Sequence, residues 1–250
     1  MTAALETVRL GVTYGGNKAL DDVSLSISEG ELVGLIGPNG AGKTTFIDAI
    51  TGFTRCSGNV MLEGTDISGD KPHVRARKGL NRTWQGAELY DELTVRENLE
   101  VGAANSQAGG GLRKLLTGRG PAPEAVDRAL DLLKLRHLAD DLPEALPQGR
   151  RKMVDVARAF AAGGRVLCLD EPAAGLDSDE SLELGRRLRS LVDAGTSLLL
   201  VDHDMGLVLS VCDRIYVLDL GRVIAVGTPE EIRSSDAVVK AYLGEEGTAA

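Results

Sequence analysis

The chain is short of several things, and each shortage closes off a class of function. It carries only three cysteines, Cys56, Cys168 and Cys212. They are far apart and follow no metal-ligand spacing. Cys168 lies inside an apolar run and reads as a small buried hydrophobe, with reduced thiols in a cytoplasmic protein as the simplest account. Positive charge is in deficit: 28 Lys and Arg stand against 37 Asp and Glu, a formal net charge of −9. That balance argues against nucleic acid as a partner, leaving room only for a local basic patch. No apolar run approaches the roughly 18 residues of a membrane-spanning helix. Residues 1–6 lack a basic start followed by an apolar core, so no signal peptide is expected. If the protein works at a membrane, another chain must hold it there. What remains is ordinary for a soluble domain, with 43% hydrophobic and 26% charged residues over 250 positions. A chain of this length buries roughly 70–75% of its unfolded surface and needs no disulfide or metal staple.

The stretch that organises the chain is Gly37-Pro38-Asn39-Gly40-Ala41-Gly42-Lys43-Thr44-Thr45. It fits G-x-x-x-x-G-K-[ST], with an apolar run at 32–36 before it and helical spacing over 45–50 after it. A strand feeding a glycine-rich turn into a helix N-terminus aims several unpaired N–H groups at one point, where the helix dipole also favours an anion. The glycines permit left-handed backbone and close approach. Lys43 is placed to reach β- and γ-phosphates, and the Thr44 hydroxyl to take a position on Mg²⁺. The reading is a nucleoside triphosphate site.

Around it the pattern is α/β. Alternation over 8–14 and 23–28 predicts N-terminal antiparallel strands, with further strands at 59–62, 165–169 and 196–201. The apolar runs at 165–169 and 196–201 suit a parallel sheet covered on both faces. A helix is predicted over 181–192, a hairpin over 213–226 around Gly221, a short helix started by Pro229, and a last helix over 236–243. Between Val74 and Gln85 the chain is basic and leads into a different region. Residues 88–99 have helical character, with Thr94 and Glu97 as a capping box. Residues 103–111 are rich in Gly, Ser and Ala, residues 118–123 break the chain again, and 124–138 is amphipathic. Residues 83–150 therefore read as a helical subdomain inserted into one domain spanning 1–250.

Four further places carry chemistry. Asp170 and Glu171 follow a buried strand, where they face the crevice that binds ligands in open α/β sheets. Asp170 is the candidate for Mg²⁺ through its water shell, and Glu171 the general base for the attacking water. The alternative, an exposed acidic turn, loses weight beside a phosphate loop. His203, after the next strand, is either structural or a hydrogen-bond partner of the γ-phosphate or the water; no second His or Cys stands at ligand spacing. Gln85, at the junction with the insertion, is either a polar loop residue or an amide that senses Mg²⁺ or water. Tyr14 either stacks on adenine or packs on a sheet.

Tyr14, the loop at 37–45, Gln85, Leu146-Pro147-Gln148-Gly149-Arg150, Asp170-Glu171, Asp177 and His203, in that order, resemble an ABC-transporter ATP-binding subunit. The resemblance covers essentially the whole chain. It implies a phosphate-loop NTPase core: a mixed, mainly parallel sheet with helices on both faces, an N-terminal antiparallel part and an inserted helical subdomain. It implies ATP and Mg²⁺ as ligands and a second ATPase chain, identical or not, with two ATPs held head to tail. Each ATP would lie between one chain's phosphate loop and the partner's signature segment, here Pro147, Gln148, Gly149 and Arg150. Tyr14 would meet the adenine, Gln85 the Mg²⁺ and the groove for the transmembrane partner, and Asp177 the loop that communicates across the dimer.

Arg82-Thr83-Trp84-Gln85, Glu171-Pro172-Ala173-Ala174-Gly175-Leu176, His203-Asp204-Met205 and Val239-Lys240-Ala241-Tyr242-Leu243-Gly244 are similar to branched-chain amino-acid importer ATPases. Urea and short-amide importers are neighbours of that family. The resemblance implies two permease subunits, an extracytoplasmic substrate-binding protein, and a peripheral position on the cytoplasmic face of the membrane. A soluble ABC ATPase outside transport is the rival, but such chains carry long coiled-coil inserts or two ATPase cores. The signature departs from the family's usual L-S-G-G-Q. Pro147 has neither a hydroxyl nor an N–H for the partner's γ-phosphate, although proline suits a first helical position and Arg150 and Arg151 add charge.

Overall fold

The computed structural model describes residues 3–83, 88–104 and 123–246. The chain runs β1 (Ala3–Tyr14), β2 (Asn17–Ser28), β3 (Leu32–Ile36), α1 (Lys43–Thr51), β4 (Ser57–Leu62), β5 (Thr65–Asp66), α2 (Pro72–Lys78) and β6 (Leu80–Arg82). Then come α3 (Val95–Ala104), α4 (Pro123–Leu132), α5 (Gln148–Ala161), β7 (Val166–Asp170) and α6 (Ser178–Asp193). It closes with β8 (Ser197–Val201), α7 (Met205–Val211), β9 (Arg214–Asp219), β10 (Arg222–Gly227), α8 (Pro229–Arg233) and α9 (Asp236–Glu246).

Two sheets result. One is antiparallel, in the order β2-β1-β4-β5; the other follows β10-β9-β3-β8-β7-β6, parallel except for the edge strand β10. Strands β3, β7 and β8 are buried at every residue, as runs without polar alternation require when both faces are covered. On β3, Val33 and Leu35 meet α1 and the antiparallel sheet through Phe46, Ile47 and Ile50, while Leu32 and Ile36 face the core built by α5, α6 and α7. The expected α/β phosphate-loop architecture is what forms, with its parallel strand ends on one edge.

Helices α3, α4 and α5 pack together through Val95, Leu99, Val126, Leu130, Met153 and Ala157. The helical layer thus continues along α5 to Ala161. The Thr94–Glu97 capping box is present: the Thr94 hydroxyl accepts Glu97 N–H at 3.2 Å, and the Glu97 carboxylate accepts Thr94 N–H at 2.8 Å. It also corrects the helix predicted from residue 88, because that box starts α3 at Val95. Residues 88–94 turn back instead, held by fully buried Asn98, which accepts Tyr90 N–H at 2.9 Å and donates to the Tyr90 and Leu93 carbonyls. The amphipathic stretch at 124–138 likewise breaks after α4, where Lys134 is left-handed at φ 53° and a 3₁₀ turn, Arg136–Leu138, follows.

The basic stretch before the insertion holds α2 and β6. Its Arg75 is core rather than surface, 3% exposed, and caps the C-terminus of α1 by donating to Ala49 and Ile50 carbonyls at 2.9 and 2.6 Å. Among the described residues no helix is long and apolar enough to cross a membrane.

Candidate nucleotide site

The phosphate loop leaves β3 at Gly37, whose φ is 153°; a Cβ there would lie 2.0 Å from the Leu218 carbonyl oxygen. Gly42, at φ 105°, has the Ala19 carbonyl oxygen 2.7 Å from where a Cβ would be. Gly40 is also left-handed, yet nothing lies within 4 Å, so it faces the open side of the loop. Helix α1 starts with no side-chain cap, and its first i−4 bond is Phe46 N–H to the Gly42 carbonyl at 2.8 Å. The N–H groups before Phe46 in α1 have no intrahelical acceptor, which makes this end of the helix one that suits an anion. Lys43 is 8% exposed and donates to the Gly37 and Pro38 carbonyls at 2.6 and 2.9 Å, so its ammonium closes the same loop. Thr44 is exposed at this end.

Strand register brings the acids alongside. Leu35 and Asp170 both pair in register with Val201, so β3, β7 and β8 end level with one another. Asp170 is 3% exposed; burial pushes its carboxyl up, and the Arg82 guanidinium, 3.3 Å away, pulls against that shift. Glu171 turns sharply at φ 48°, with its N–H donated to the Val201 carbonyl at 2.7 Å. A left-handed non-glycine residue at a strand end is a stored cost of order 1–3 kcal/mol, of the kind that clusters at functional sites. The Glu171 carbonyl accepts the Lys152 ammonium at 3.1 Å, and burial lowers the pKa of that amine. His203 follows β8 with its ring largely exposed and Nδ1 3.6 Å from the buried Asp202 carboxylate.

The sequence-predicted residues divide accordingly. Lys43, Thr44, Asp170, Glu171 and His203 share one sheet edge. Tyr14, at the end of β1, is 52% exposed and hydrogen-bonds Thr54 through its hydroxyl at 3.2 Å. Gln85 lies outside the described residues. Pro147 is the N-cap of α5, one position before the first helical residue expected for it. The signature packs on the loop after Glu171 and on the first turn of α6: a Cβ on Gly175 would lie 2.7 Å from Gln148 Nε2, and one on Gly149 2.7 Å from Glu180 Oε1. Asp177 caps α6 in a full capping box with Glu180, which starts that helix three residues before the predicted 181.

Three residues escaped the sequence reading. Arg82 bridges Asp48 and Asp170 but reads as one charge in a basic run. Lys152 reads as helix surface. Asp202, fully buried, accepts Ala173 N–H at 2.9 Å and Asp204 N–H at 3.0 Å, and nothing in its acidic neighbourhood signals burial. A cleft of about 710 Å³ lies away from the phosphate loop, between α2, β6 and the helical layer. It is lined by Phe53, His73, Arg82, Leu89, Tyr90 and Arg158 among others, and Arg82 joins it to the nucleotide edge.

Residues 20–174 match the ABC transporter family, and residues 222–248 match the branched-chain amino acid ATP-binding cassette transporter family. The lipopolysaccharide export system ATP-binding protein LptB of Escherichia coli K12 is 38% identical over 98% of both chains. The branched-chain amino acid transport ATP-binding protein LivG of Salmonella typhimurium is 41% identical over 94% of this chain and 96% of its own. BraF of Pseudomonas aeruginosa, named likewise, is 39% identical over 96% and 98%. Among solved structures, a nucleotide-free ATP-binding cassette superposes with TM-score 0.83 at 34% identity, covering 96% and 98%. The ADP conformation of another cassette gives 0.84 at 31% identity, covering 98% and 100%. The chain belongs to the ABC transporter ATP-binding family: it is a nucleotide-binding ATPase subunit that couples ATP hydrolysis to transport through transmembrane permease partners.

Proposed function

We propose that this chain powers the import of branched-chain or other hydrophobic amino acids. What carries the reading is the match of residues 222–248 to the branched-chain amino acid cassette family, joined to the LivG and BraF similarity over nearly the full chain. In this reading the chain sits on the cytoplasmic face of the membrane. It pairs with a second ATPase chain, identical or not, and works with two permeases and an extracytoplasmic substrate-binding protein. Residues 83–150, within the single domain 1–250, form the helical subdomain that passes closure to the permeases.

At the site, the loop at 37–45 wraps the triphosphate with the backbone N–H groups that it has, Pro38 contributing none, and Lys43 turns its ammonium from the loop carbonyls to the phosphate oxygens. Tyr14 meets the adenine. The Thr44 hydroxyl and the Asp170 carboxylate, with Gln85, form an all-oxygen donor set that fits Mg²⁺ in a site completed by water and phosphate. A cation held by these residues would supply positive charge to the phosphoryl oxygens. Glu171 takes a proton from the attacking water as it approaches, and His203 hydrogen-bonds the γ-phosphate or that water. Pro147, Gln148, Gly149 and Arg150 present the start of α5 to the partner's triphosphate, while Asp177 lies in the loop that meets the partner chain.

The test is uptake of radiolabelled leucine by cells lacking the gene, complemented with the wild-type chain or with Glu171→Gln. Uptake restored by the wild type alone is the expected result. The similarity to LptB supports a second reading, an exporter ATPase. Normal leucine uptake together with a lipopolysaccharide defect would favour it, and a defect confined to urea or short-amide uptake would move the substrate to that neighbouring class.

A further inference from the structure

Arg82 is the last residue of β6, and its side chain is only 7% exposed. One guanidinium nitrogen lies 2.6 Å from Asp48 on α1, and another lies 3.3 Å from Asp170 at the end of β7. The Phe53 ring covers the group, 5.6 Å from its central carbon. Asp48 stands one helical turn after Thr44, on the same side of α1. A buried cation is therefore shared between the carboxylate read above as metal-binding and a second carboxylate on the helix of the phosphate loop.

We propose that Arg82 is a positioning residue that competes with the divalent cation for Asp170, with Asp48 as the anchor that holds it when Asp170 turns to the metal. The proposal rests on the reading of Asp170 as a metal residue. A guanidinium at 3.3 Å occupies a carboxylate oxygen and repels a dication arriving there, and burial leaves that repulsion poorly screened. Asp48 makes the shorter contact, so Arg82 keeps a counter-charge after releasing Asp170. The two acids thus pull one arginine in opposite directions. Removing the arginine frees Asp170 and tightens metal binding. Removing the Asp48 charge takes away the carboxylate that competes with Asp170 for Arg82, and weakens metal binding. Charge alone would make the two changes additive, whereas competition for Asp170 makes the Asp48→Asn loss vanish once Arg82 is replaced by Met, so an additive double variant overturns the proposal.

The experiment measures Mn²⁺ binding to the full chain in the presence of ADP, by electron paramagnetic resonance of the free ion, and metal-free ADP affinity separately. Arg82→Met should tighten Mn²⁺ by about tenfold and Asp48→Asn should weaken it by about tenfold, with metal-free ADP affinity within about twofold in both. Shifts in the same direction, or none, overturn the proposal. If Arg82→Met does not fold, Asp48→Asn decides alone: unchanged or tighter Mn²⁺ overturns it. Asp170→Asn separates the two layers. Unchanged Mn²⁺ affinity there removes the metal reading itself, whereas lost affinity there beside wild-type behaviour of the other two variants removes only the role of Arg82.

Discussion

The buried carboxylate of Asp202 accepts the backbone N–H of Ala173 across a 2.9 Å hydrogen bond, tying the end of β8 to the turn that begins at Glu171. The same carboxylate accepts Asp204 N–H at 3.0 Å. Asp202→Ala leaves two N–H donors without their acceptor, a loss of about 1–3 kcal/mol for each donor that stays buried. The variant is expected to lose stability in urea unfolding and, because Glu171 moves with its turn, to lose turnover at saturating ATP. Turnover that survives the stability loss would show that the turn holds Glu171 without Asp202.

Glu171→Gln keeps the shape of the side chain and removes the base. Phosphate release should fall by roughly 10²–10⁴-fold, while ATP retention, read by equilibrium dialysis, should remain at the wild-type level. Near-normal hydrolysis would take the general-base role from Glu171.

The site and the fold were unequally legible. Strands β3, β7 and β8 are apolar runs apart from Asp170 and Ser197 at their ends, and the glycine spacing of 37–45 has few structural uses, so both are readable from the sequence. Strand β6 is three residues long and ends in Arg82, so it offers no period to detect. Arg75 and Arg82 are buried by long-range pairing, with backbone carbonyls in one case and with Asp48 and Asp170 in the other. A charge reads as surface until its partner is known, and those partners are distant in sequence. Pattern also failed at 88–94, where helical composition is overridden by the local bonds of Asn98.

Glu183 gives a pH dependence with a defined sign. Hydrogen bonds from Arg186 and Arg187 on the same helix hold its carboxyl below the ordinary 4.5. A depressed carboxyl stabilises the fold above its unfolded pKa, and that contribution disappears as pH falls through the folded value. The carboxylate is partly exposed on the helix surface, and solvent screening there keeps the effect to about 1 kcal/mol. Glu183→Gln should be slightly less stable than wild type in urea at pH 7, with the gap closing below pH of about 4. A gap that persists in acid would assign the loss to packing.

Gly37 and Gly40 separate space from conformation. Both are left-handed, but a Cβ on Gly37 would sit 2.0 Å from the Leu218 carbonyl oxygen, whereas one on Gly40 meets nothing within 4 Å. Gly40→Ala should cost about 1 kcal/mol from backbone strain and retain a folded chain. Gly37→Ala must push apart the loop and β9, and is expected to abolish ATP retention or yield insoluble protein. Equal behaviour of the two would mean the loop relaxes freely.

Pro147→Ser tests the departure in the signature. Pro147 holds the N-cap of α5 with φ −57° and ψ 155°, and its carbonyl accepts Arg150 and Arg151 N–H at 3.0 Å each. Serine fits the same conformation and adds a capping hydroxyl, a gain of about 0.5–2 kcal/mol. Losing proline loosens the unfolded chain, which offsets about 0.4–1 kcal/mol of that. Net stability should therefore fall between a loss of about 0.5 and a gain of about 1.6 kcal/mol, and unfolding alone cannot account for a change in rate. A hydroxyl bonded to a phosphate oxygen is a charge-assisted contact of about 1.5–3 kcal/mol. If that contact strengthens as charge develops, steady-state phosphate release by the assembled transporter should rise roughly tenfold or more. An unchanged rate would mean that the N-terminus of α5, with Arg150 and Arg151 beside it, already meets the partner's triphosphate without help from a side chain at 147.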